Sequence, residues 1–325
     1  MDGHELLNTE LLKHAALEFG ADLCTVGNIE RWSAVPKDES PLSILPRAKS
    51  VVCLAFRTQR GALRGAAEGT YFSAYSLANF YDINRVIAPM VQRRVANLLE
   101  DHGYESVPVM YYAHNLGKGS GTPTTSADGT EKAAPEVFFN FRTGGYLCGM
   151  GEIGYSRMLL TPEFGPAQRL FFVITEAELE ADPLVNDICD GCMSCVRCCP
   201  AKALEADRCD DITIPGIAVL HLAKLDDTKC RLAHVGGAFS PYAPEEVKLY
   251  AANVCEGRDG ISADGTLYPT AEEIRTCVTE KVSYASQMSK MFNAPAALCG
   301  QGCVMACLAH LDRTGKLRRR PKHPF

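Results

Sequence analysis

The order of apolar and polar residues predicts a short helix followed by two buried strands in the first sixty positions. The helix is expected to begin at a Thr9 cap and to end before Gly20. Its apolar stripe consists of Leu11, Leu12, Ala15, Ala16 and Phe19. Continuous apolar runs over residues 21–26 and 50–56 then predict buried strands.

A longer helix and two more strands complete the pattern of the first half. From Ile83 the apolar positions keep helical spacing through Leu99. Residues 106–110 and 170–175 are apolar and β-branched, which predicts strands. Between them, residues 114–135 are rich in Gly, Ser, Thr and Pro, a composition that is typical of a long loop. This mixture of helices and strands indicates an α+β fold.

A change in composition marks a candidate domain boundary near residue 182. Residues 176–187 contain five acidic side chains and Pro183, and they end where the first cysteine run begins. We therefore expect an α+β domain over residues 1–182 and a second domain over residues 183–325. Within the second domain, an insertion of about residues 231–298 separates two groups of cysteines.

The bulk composition is that of a globular protein without a strongly basic surface. The 325 residues are 46% hydrophobic and 22% charged, with a formal net charge of −6. This balance provides no broad basic surface for a phosphate backbone, so it disfavours nucleic acid as a partner. The acidic N-terminus lacks the pattern of a signal peptide, and no run of roughly 18 apolar residues predicts a membrane span. We expect a cytoplasmic protein with no membrane partner.

The chain contains fifteen cysteines, more than an ordinary globular composition explains. Three precede residue 180 and twelve follow it. A disulfide scaffold does not suit the expected compartment, so metal binding or redox chemistry is the better explanation. Cys24, Cys53 and Cys148 lie in apolar sequence and are interpreted as buried, inert thiols.

Four cysteines after the boundary have the spacing of a bacterial ferredoxin. Cys189, Cys192, Cys195 and Cys199, followed by Pro200, form Cys-x2-Cys-x2-Cys-x3-Cys-Pro. In this pattern three thiolates wrap one [4Fe-4S] cluster and the fourth binds a second cluster. A structural zinc site is the alternative, but the third cysteine and the Cys-Pro ending favour iron–sulfur chemistry.

A second cysteine group near the C-terminus supplies further ligands. Cys299, Cys303 and Cys307 recur at four-residue steps, a spacing that also places small apolar side chains on one helix face. Because the upstream run needs partners, we expect Cys307 to complete the first cluster. Cys299 and Cys303 are expected to join Cys199 on the second.

The remaining ligand of the second cluster is left open by the sequence. We favour Cys230, which follows an acidic turn after an apolar segment, and Cys209 is the second choice. The other cysteines available to fill the position are Cys198, Cys255 and Cys277.

The glycine-rich junction reads GMGEIGYSRMLLTPEFGPAQRLFFVITEAELEADP and leads into CDGCMSCVRCCPAKAL. Together these two segments resemble the family of reductive dehalogenases and epoxyqueuosine reductases. Two further segments are similar to that family's first core strand and helix, namely RAKSVVCLAF and SAYSLANFYDINRVIAPMVQRRVANLLEDHGYESVPV, respectively. The resemblance implies a nitroreductase-like domain that binds a corrinoid (cobalamin) in the base-off form. A ferredoxin-like domain with two [4Fe-4S] clusters would follow it and deliver electrons to cobalt.

The resemblance also suggests site residues around the glycine-rich junction. Its candidate cofactor-binding residues are Gly149, Gly151, Gly154 and Arg157. A reductase of this kind needs a proton donor, and the candidates are Tyr155, Glu136 and His114, each of which has a surface or core role as its simpler explanation.

The function expected from these features is a corrinoid-dependent reductase of a small organic substrate. Its two [4Fe-4S] clusters would receive electrons from a donor such as ferredoxin or flavodoxin. The alternative is an electron-transfer or corrinoid-reactivating protein that has no substrate of its own.

Overall fold

A computed structural model describes residues 7–71, 73–110, 129–134, 137–214, 216–227 and 302–325, with isolated positions 123, 125, 229, 230 and 233. The α-helices are α1 (Thr9–Glu18), α2 (Arg60–Glu68), α3 (Ala88–Asp101), α4 (Phe141–Leu147), α5 (Ser194–Arg197) and α6 (Cys303–Thr314). The strands are β1 (Leu23–Asn28), β2 (Ser50–Arg57), β3 (Ser106–Val109), β4 (Glu152–Ile153), β5 (Leu159–Leu160), β6 (Gln168–Thr175), β7 (Leu204–Ile214) and β8 (Ala218–Leu225). Short 3-10 turns span Ile29–Trp32, Lys37–Glu39 and Pro41–Ser43, and π-helical segments Ala74–Tyr81 and Ile83–Ile87 lead into α3.

The centre of the fold is a four-stranded antiparallel sheet in the order β1-β2-β6-β3. Strand β2 is an interior strand and is buried along nearly its whole length. Alternate side chains of a strand point to opposite faces, so Val52 and Leu54 enter one core while Val51 and Cys53 enter the other. The continuous apolar sequence of β2 follows from this burial on both faces.

Helices α1 and α3 cover one face of the sheet. Leu12 of α1 and Val95 of α3 are fully buried against Leu54 and Val173 of the central strands. The structure corrects the predicted cap of α1 from Thr9 to Asn8: the side chain of Asn8 accepts the backbone N–H of Leu11 at 2.9 Å, and Thr9 is the first residue of the helix. Such a cap contributes about 1 kcal/mol.

The other face of the sheet is covered by α4 and by the β7–β8 hairpin. Leu147 of α4 and Phe172 of β6 belong to one buried cluster, which also contains Ile214 and Leu222 of the hairpin. The hairpin was not predicted as such, although its second strand lies within the apolar segment before Cys230. Residues beyond position 182 therefore share a core with the sheet.

Helix α6 closes a third apolar cluster beside the sheet. Leu308 and Leu311 of α6 are almost fully buried against Leu63 of α2 and Leu160 of β5.

The α+β class is thus confirmed, whereas the division at residue 182 stays a prediction. The predicted loop over residues 114–135 lies mostly outside the described residues. In the part of the chain that the structure describes, no helix is long and apolar enough to cross a membrane.

Candidate functional site

The ferredoxin-like cysteine run folds as a tight turn that leads into the short helix α5. Gly191 and Met193 have positive φ angles of 68° and 58°, which let the chain bend sharply between Cys189 and Cys195. Inside the turn, the thiol of Cys192 donates a hydrogen bond to Ser194 Oγ at 3.4 Å. The two-residue gaps of the sequence therefore become a compact cradle.

Cys307 of α6 faces this cradle. The pKa of its thiol is raised well above the ordinary range, first by burial and then by the neighbouring Cys189, Cys195 and Cys192. Burial, together with Cys303 and Cys189, raises the pKa of Cys195 to about 11. These four cysteines (the first thiol set: Cys189, Cys192, Cys195 and Cys307) are close enough to repel one another as thiolates. A shared metal centre would relieve that repulsion.

A second group of thiols lies next to the first. Burial, followed by Cys303 and Cys199, raises the pKa of Cys230 to about 11. Cys199 Sγ also accepts the backbone N–H of Ala203 at 3.2 Å. We call Cys199, Cys230 and Cys303 the second thiol set. Cys303 and Cys307 are one helical turn apart on α6, so this helix contributes one thiol to each set.

The other candidates for the second cluster differ in position. Cys198 and Cys209 are exposed, and Cys209 pairs with Ala223 in the hairpin. Cys299, Cys255 and Cys277 lie outside the described residues. Of the described alternatives, Cys230 is the cysteine whose pKa responds to Cys199 and Cys303.

The three cysteines of the N-terminal half are separate from both sets. Cys53 and Cys148 are fully buried, and burial raises the pKa of both thiols well above the ordinary value. Burial raises the pKa of Cys24 to about 12. These thiols therefore stay protonated at neutral pH, as expected of inert core residues.

Glu152 holds the start of the cysteine run and was missed by the sequence analysis. Its carboxylate accepts the backbone N–H groups of Ile188 at 2.6 Å and Cys189 at 2.9 Å. The backbone N–H of Tyr155 donates to Cys189 Sγ at 3.5 Å. The glycine-rich junction is therefore the support on which the first cysteine is positioned.

The candidate glycines allow close backbone packing at this junction. A Cβ atom on Gly149 would lie 2.3 Å from the carbonyl oxygen of Pro183, and one on Gly151 would lie 2.1 Å from that of Leu160. At Gly154 it would meet the Leu160 side chain at 2.8 Å. This packing explains the glycines, and their role in cofactor binding stays a prediction.

Arg157 and Tyr155 attach the hairpin to the junction. Arg157, in a left-handed conformation (φ 66°), donates from Nε to the carbonyl oxygen of Ala223 at 2.7 Å and pairs with Asp210. The carbonyl oxygen of Tyr155 accepts the N–H of Ala223 at 2.9 Å. The catalytic role of Tyr155 stays a prediction, and the other two proton-donor candidates, Glu136 and His114, lie outside the described residues.

A side-chain pair that was not predicted joins α6 to the cysteine run. His310 Nε2 lies 2.8 Å from an Asp190 carboxylate oxygen, and Lys316 Nζ lies 3.5 Å from the same oxygen. The hydrogen bond with His310 is the main reason that the pKa of Asp190 is lowered. Cys192 completes a compact group of possible ligand atoms with this pair. We interpret the pair as support for the placement of Cys307, which lies three residues before His310 on α6.

A cavity of about 420 Å³ opens beside the second thiol set. Its thiol wall contains Cys199, Cys230 and Cys303. The rest of the lining carries aromatic and apolar side chains and a few polar ones, among them Tyr75, Phe80, Asn84, Phe141, Arg142, Leu159 and Arg169. The volume and the mainly apolar lining are typical of a small-molecule or cofactor site.

Arg142 places a positive charge at the thiol wall of the cavity. Its side chain is accessible from the cavity, and the surrounding protein desolvates it, which lowers its pKa. Cys230 and Cys303 oppose this shift through their charges. Arg142 can therefore compensate negative charge on the second thiol set.

No family model matches the chain. Curated proteins similar to it are a tetrachloroethene reductive dehalogenase of Desulfitobacterium hafniense, 36% identical over 64 residues, and an epoxyqueuosine reductase of Gloeobacter violaceus, 24% identical over 219 residues. The first match covers 18% of this chain and 12% of the relative, and the second covers 67% and 56%. The chain therefore spans from about an eighth to just over half of the length of these relatives.

Solved structures give the same two kinds of reductase. A catabolic reductive dehalogenase in complex with 3-bromo-4-hydroxybenzoic acid matches with a TM-score of 0.50 and 16% identity, over 93% of this chain and 39% of that one. An epoxyqueuosine reductase structure matches with a TM-score of 0.46 and 16% identity, over 94% and 82%. The predicted resemblance to this pair of reductase types is confirmed, and at this identity the dehalogenase likeness shows a shared fold alone.

One epoxyqueuosine reductase among the similar structures was solved with a tRNA stem loop. Our expectation that nucleic acid is an unlikely partner stays a prediction.

Proposed function

We propose that this chain is an iron–sulfur reductase that uses two [4Fe-4S] clusters and a corrinoid to reduce a small organic substrate. One observation carries the proposal: Cys199, Cys230 and Cys303 line the same cavity as side chains of the sheet and its helices. An electron-transfer centre and a ligand site thus adjoin each other. Its relatives in sequence are reductases.

The donor atoms suit two iron–sulfur cubanes. The first thiol set supplies four cysteines, the first three of the ferredoxin-like run together with Cys307 of α6. The second set supplies three, and Cys299 is the proposed fourth ligand. Since Cys303 and Cys307 are one helical turn apart on α6, the two sets adjoin each other.

The proposal includes a division of the chain into two domains of named fold types. Residues 1–182 would form a nitroreductase-like domain that contributes the corrinoid wall. Residues 183–325 would form a ferredoxin-like domain with an insertion at about residues 231–298. Two apolar clusters join the proposed domains. Leu222 packs in one cluster with Phe172, and Leu308 packs in the other with Leu160, which supports a rigid contact between the two domains.

The cavity residues would bind the corrinoid, exclude water and supply protons. A bound corrinoid would provide a cobalt centre that can be reduced and can react with an organic substrate. The aromatic side chains of Phe80 and Phe141 offer flat apolar surfaces, and Arg142 offers a charge beside the second thiol set. Tyr155, Glu136 and His114 remain the proposed proton donors, and Tyr75 joins them because it lines the cavity.

Cobalt retention tests this function. Protein purified and reconstituted anaerobically with hydroxocobalamin should leave gel filtration with bound cobalt and a base-off visible spectrum. Met158→Trp, which enlarges a cavity-lining residue, should lower cobalt retention. Val219→Trp is the matched control, because Val219 is 53% exposed and does not line the cavity.

The outcome separates the proposal from its alternative. If both clusters assemble, the chain is folded and no cobalt is retained, the chain is better described as an electron-transfer or corrinoid-reactivating protein. A ferredoxin or flavodoxin is the proposed electron donor in either case.

A further inference from the structure

One buried side-chain amide in the cavity wall has a hydrogen-bond partner for its oxygen but none for its nitrogen among the described residues. Asn84 is 2% exposed and lines the cavity. Its Oδ1 accepts a hydrogen bond from Arg169 Nε at 2.9 Å. Its Nδ2 has no hydrogen-bond partner among the residues that the structure describes. Buried amide donors are rarely left without an acceptor, so this one calls for an explanation.

The orientation of the Asn84 amide follows from its neighbour. An arginine side chain can only donate hydrogen bonds, so the oxygen of Asn84 must face Arg169 and the NH₂ group must face away. Rotating the amide would place two donors against each other. Asn84 therefore brings to the cavity wall a buried NH₂ group for which the described residues provide no acceptor.

The charges around Asn84 favour an oxygen acceptor. The guanidinium of Arg169 lies over the ring of Phe80, 4.1 Å from its centroid, which fixes its position beside Asn84. Among the described residues that line the cavity there is no Asp or Glu. The site therefore has donors and positive charge without a competing carboxylate.

We propose that Asn84 and Arg169 form an acceptor-binding subsite that takes a carboxylate or carboxamide oxygen of the molecule in the cavity. That oxygen could belong to a carboxamide side chain of a corrinoid or to the carboxylate of an organic acid. The first source rests on the proposed function, and the second does not. The lining aromatic residues Tyr75, Phe80 and Phe141 make an aromatic acid the fitting probe for the second source.

The test uses Asn84→Asp in the full chain with its clusters in place. The new carboxylate keeps the acceptor for Arg169 and replaces the NH₂ donor with an oxygen. Because Nδ2 of Asn84 makes no protein hydrogen bond in the described structure, we expect the melting temperature to stay within a few degrees of the wild type. Asn84→Ser, a smaller side chain without the amide, is the second variant.

Asn79 provides the matched structural control. It is equally buried, but its Nδ2 donates to Ala74 O at 2.7 Å and Gln59 Oε1 at 3.3 Å. Asn79→Asp should therefore lower the melting temperature without ligand, whereas Asn84→Asp should not. This contrast separates a binding role from a structural one.

Binding of hydroxocobalamin and of benzoate is then measured by anaerobic equilibrium dialysis. A loss of at least about tenfold in hydroxocobalamin affinity in both Asn84 variants would assign the subsite to the corrinoid. A similar loss confined to benzoate would assign it to an organic acid, even if the protein retained no cobalt. If the wild type binds neither compound, or if the Asn84 variants bind both within about twofold of the wild type, the subsite is refuted.

Discussion

The carboxylate of Glu152 accepts a hydrogen bond from the backbone N–H of Cys189 at 2.9 Å, and it also accepts that of Ile188. This contact joins the glycine-rich junction to the first residue of the ferredoxin-like run. The position of one proposed cluster ligand thus depends on a side chain 37 residues earlier in the sequence.

Glu152→Ala should weaken both the fold and the first cluster. The substitution leaves two N–H groups without their acceptor, and each such loss costs about 1–3 kcal/mol. We expect a lower free energy of unfolding in denaturant titrations and less iron per chain. Glu152→Gln keeps an acceptor oxygen and should retain more of both. Iron content and stability equal to the wild type in the alanine variant would mean that this contact does not position Cys189.

Cys199→Ser should damage the second cluster while the first stays mostly intact. In the ferredoxin pattern the fourth cysteine crosses to the other cluster, so about four irons of eight should be lost. Cys198→Ser is the control, because Cys198 is adjacent in sequence but exposed. Reduced-state EPR with iron analysis distinguishes the two clusters. Equal iron loss in both variants would show that the crossover is assigned incorrectly.

Arg142→Gln should lower the reduction potential of the second cluster. Removing a positive charge beside Cys230 and Cys303 makes an added electron less stable, by on the order of 50 mV at an effective dielectric constant of about 20. Arg142→Lys keeps the charge and should change the potential less. EPR-monitored redox titration measures both clusters in one sample. A potential that does not move, with the cluster intact, would exclude electrostatic coupling between Arg142 and this centre.

Gly151→Ala should destabilise the junction because its Cβ would lie 2.1 Å from the carbonyl oxygen of Leu160. Relief requires the backbone to move, which typically costs about 1–3 kcal/mol. Gly61→Ala in α2 is the control, since a Cβ there meets nothing within 4 Å. Thermal unfolding should show a clear loss for the first variant and little change for the second. Similar melting temperatures would indicate that the junction is more adaptable than its packing suggests.

Local patterns in the sequence were sufficient to predict the helices α1 and α3 and the central strands. Strand β2 is buried on both faces, so its apolar run is continuous. The assignment of Cys307 to the cluster of Cys189 also follows from cysteine spacing, and it stays a prediction. In each case the relevant information lies within a few residues or in a recurring spacing.

Features that depend on distant or exposed residues were missed. Most of strand β7 is exposed, and its charged sequence EADRCDD carries no alternating apolar pattern. The pairing of Asn84 with Arg169 and the contact of Glu152 with Cys189 join positions 85 and 37 residues apart. No local signal distinguishes these side chains from ordinary surface or core residues.

Iron and acid-labile sulfide analysis of the anaerobically purified chain tests the central claim most directly. Two cubanes held by Cys189, Cys192, Cys195 and Cys307 and by Cys199, Cys230, Cys299 and Cys303 predict about eight irons and eight sulfides per chain. One zinc ion per chain with no acid-labile sulfide would contradict the cluster assignment and the reductase function built on it.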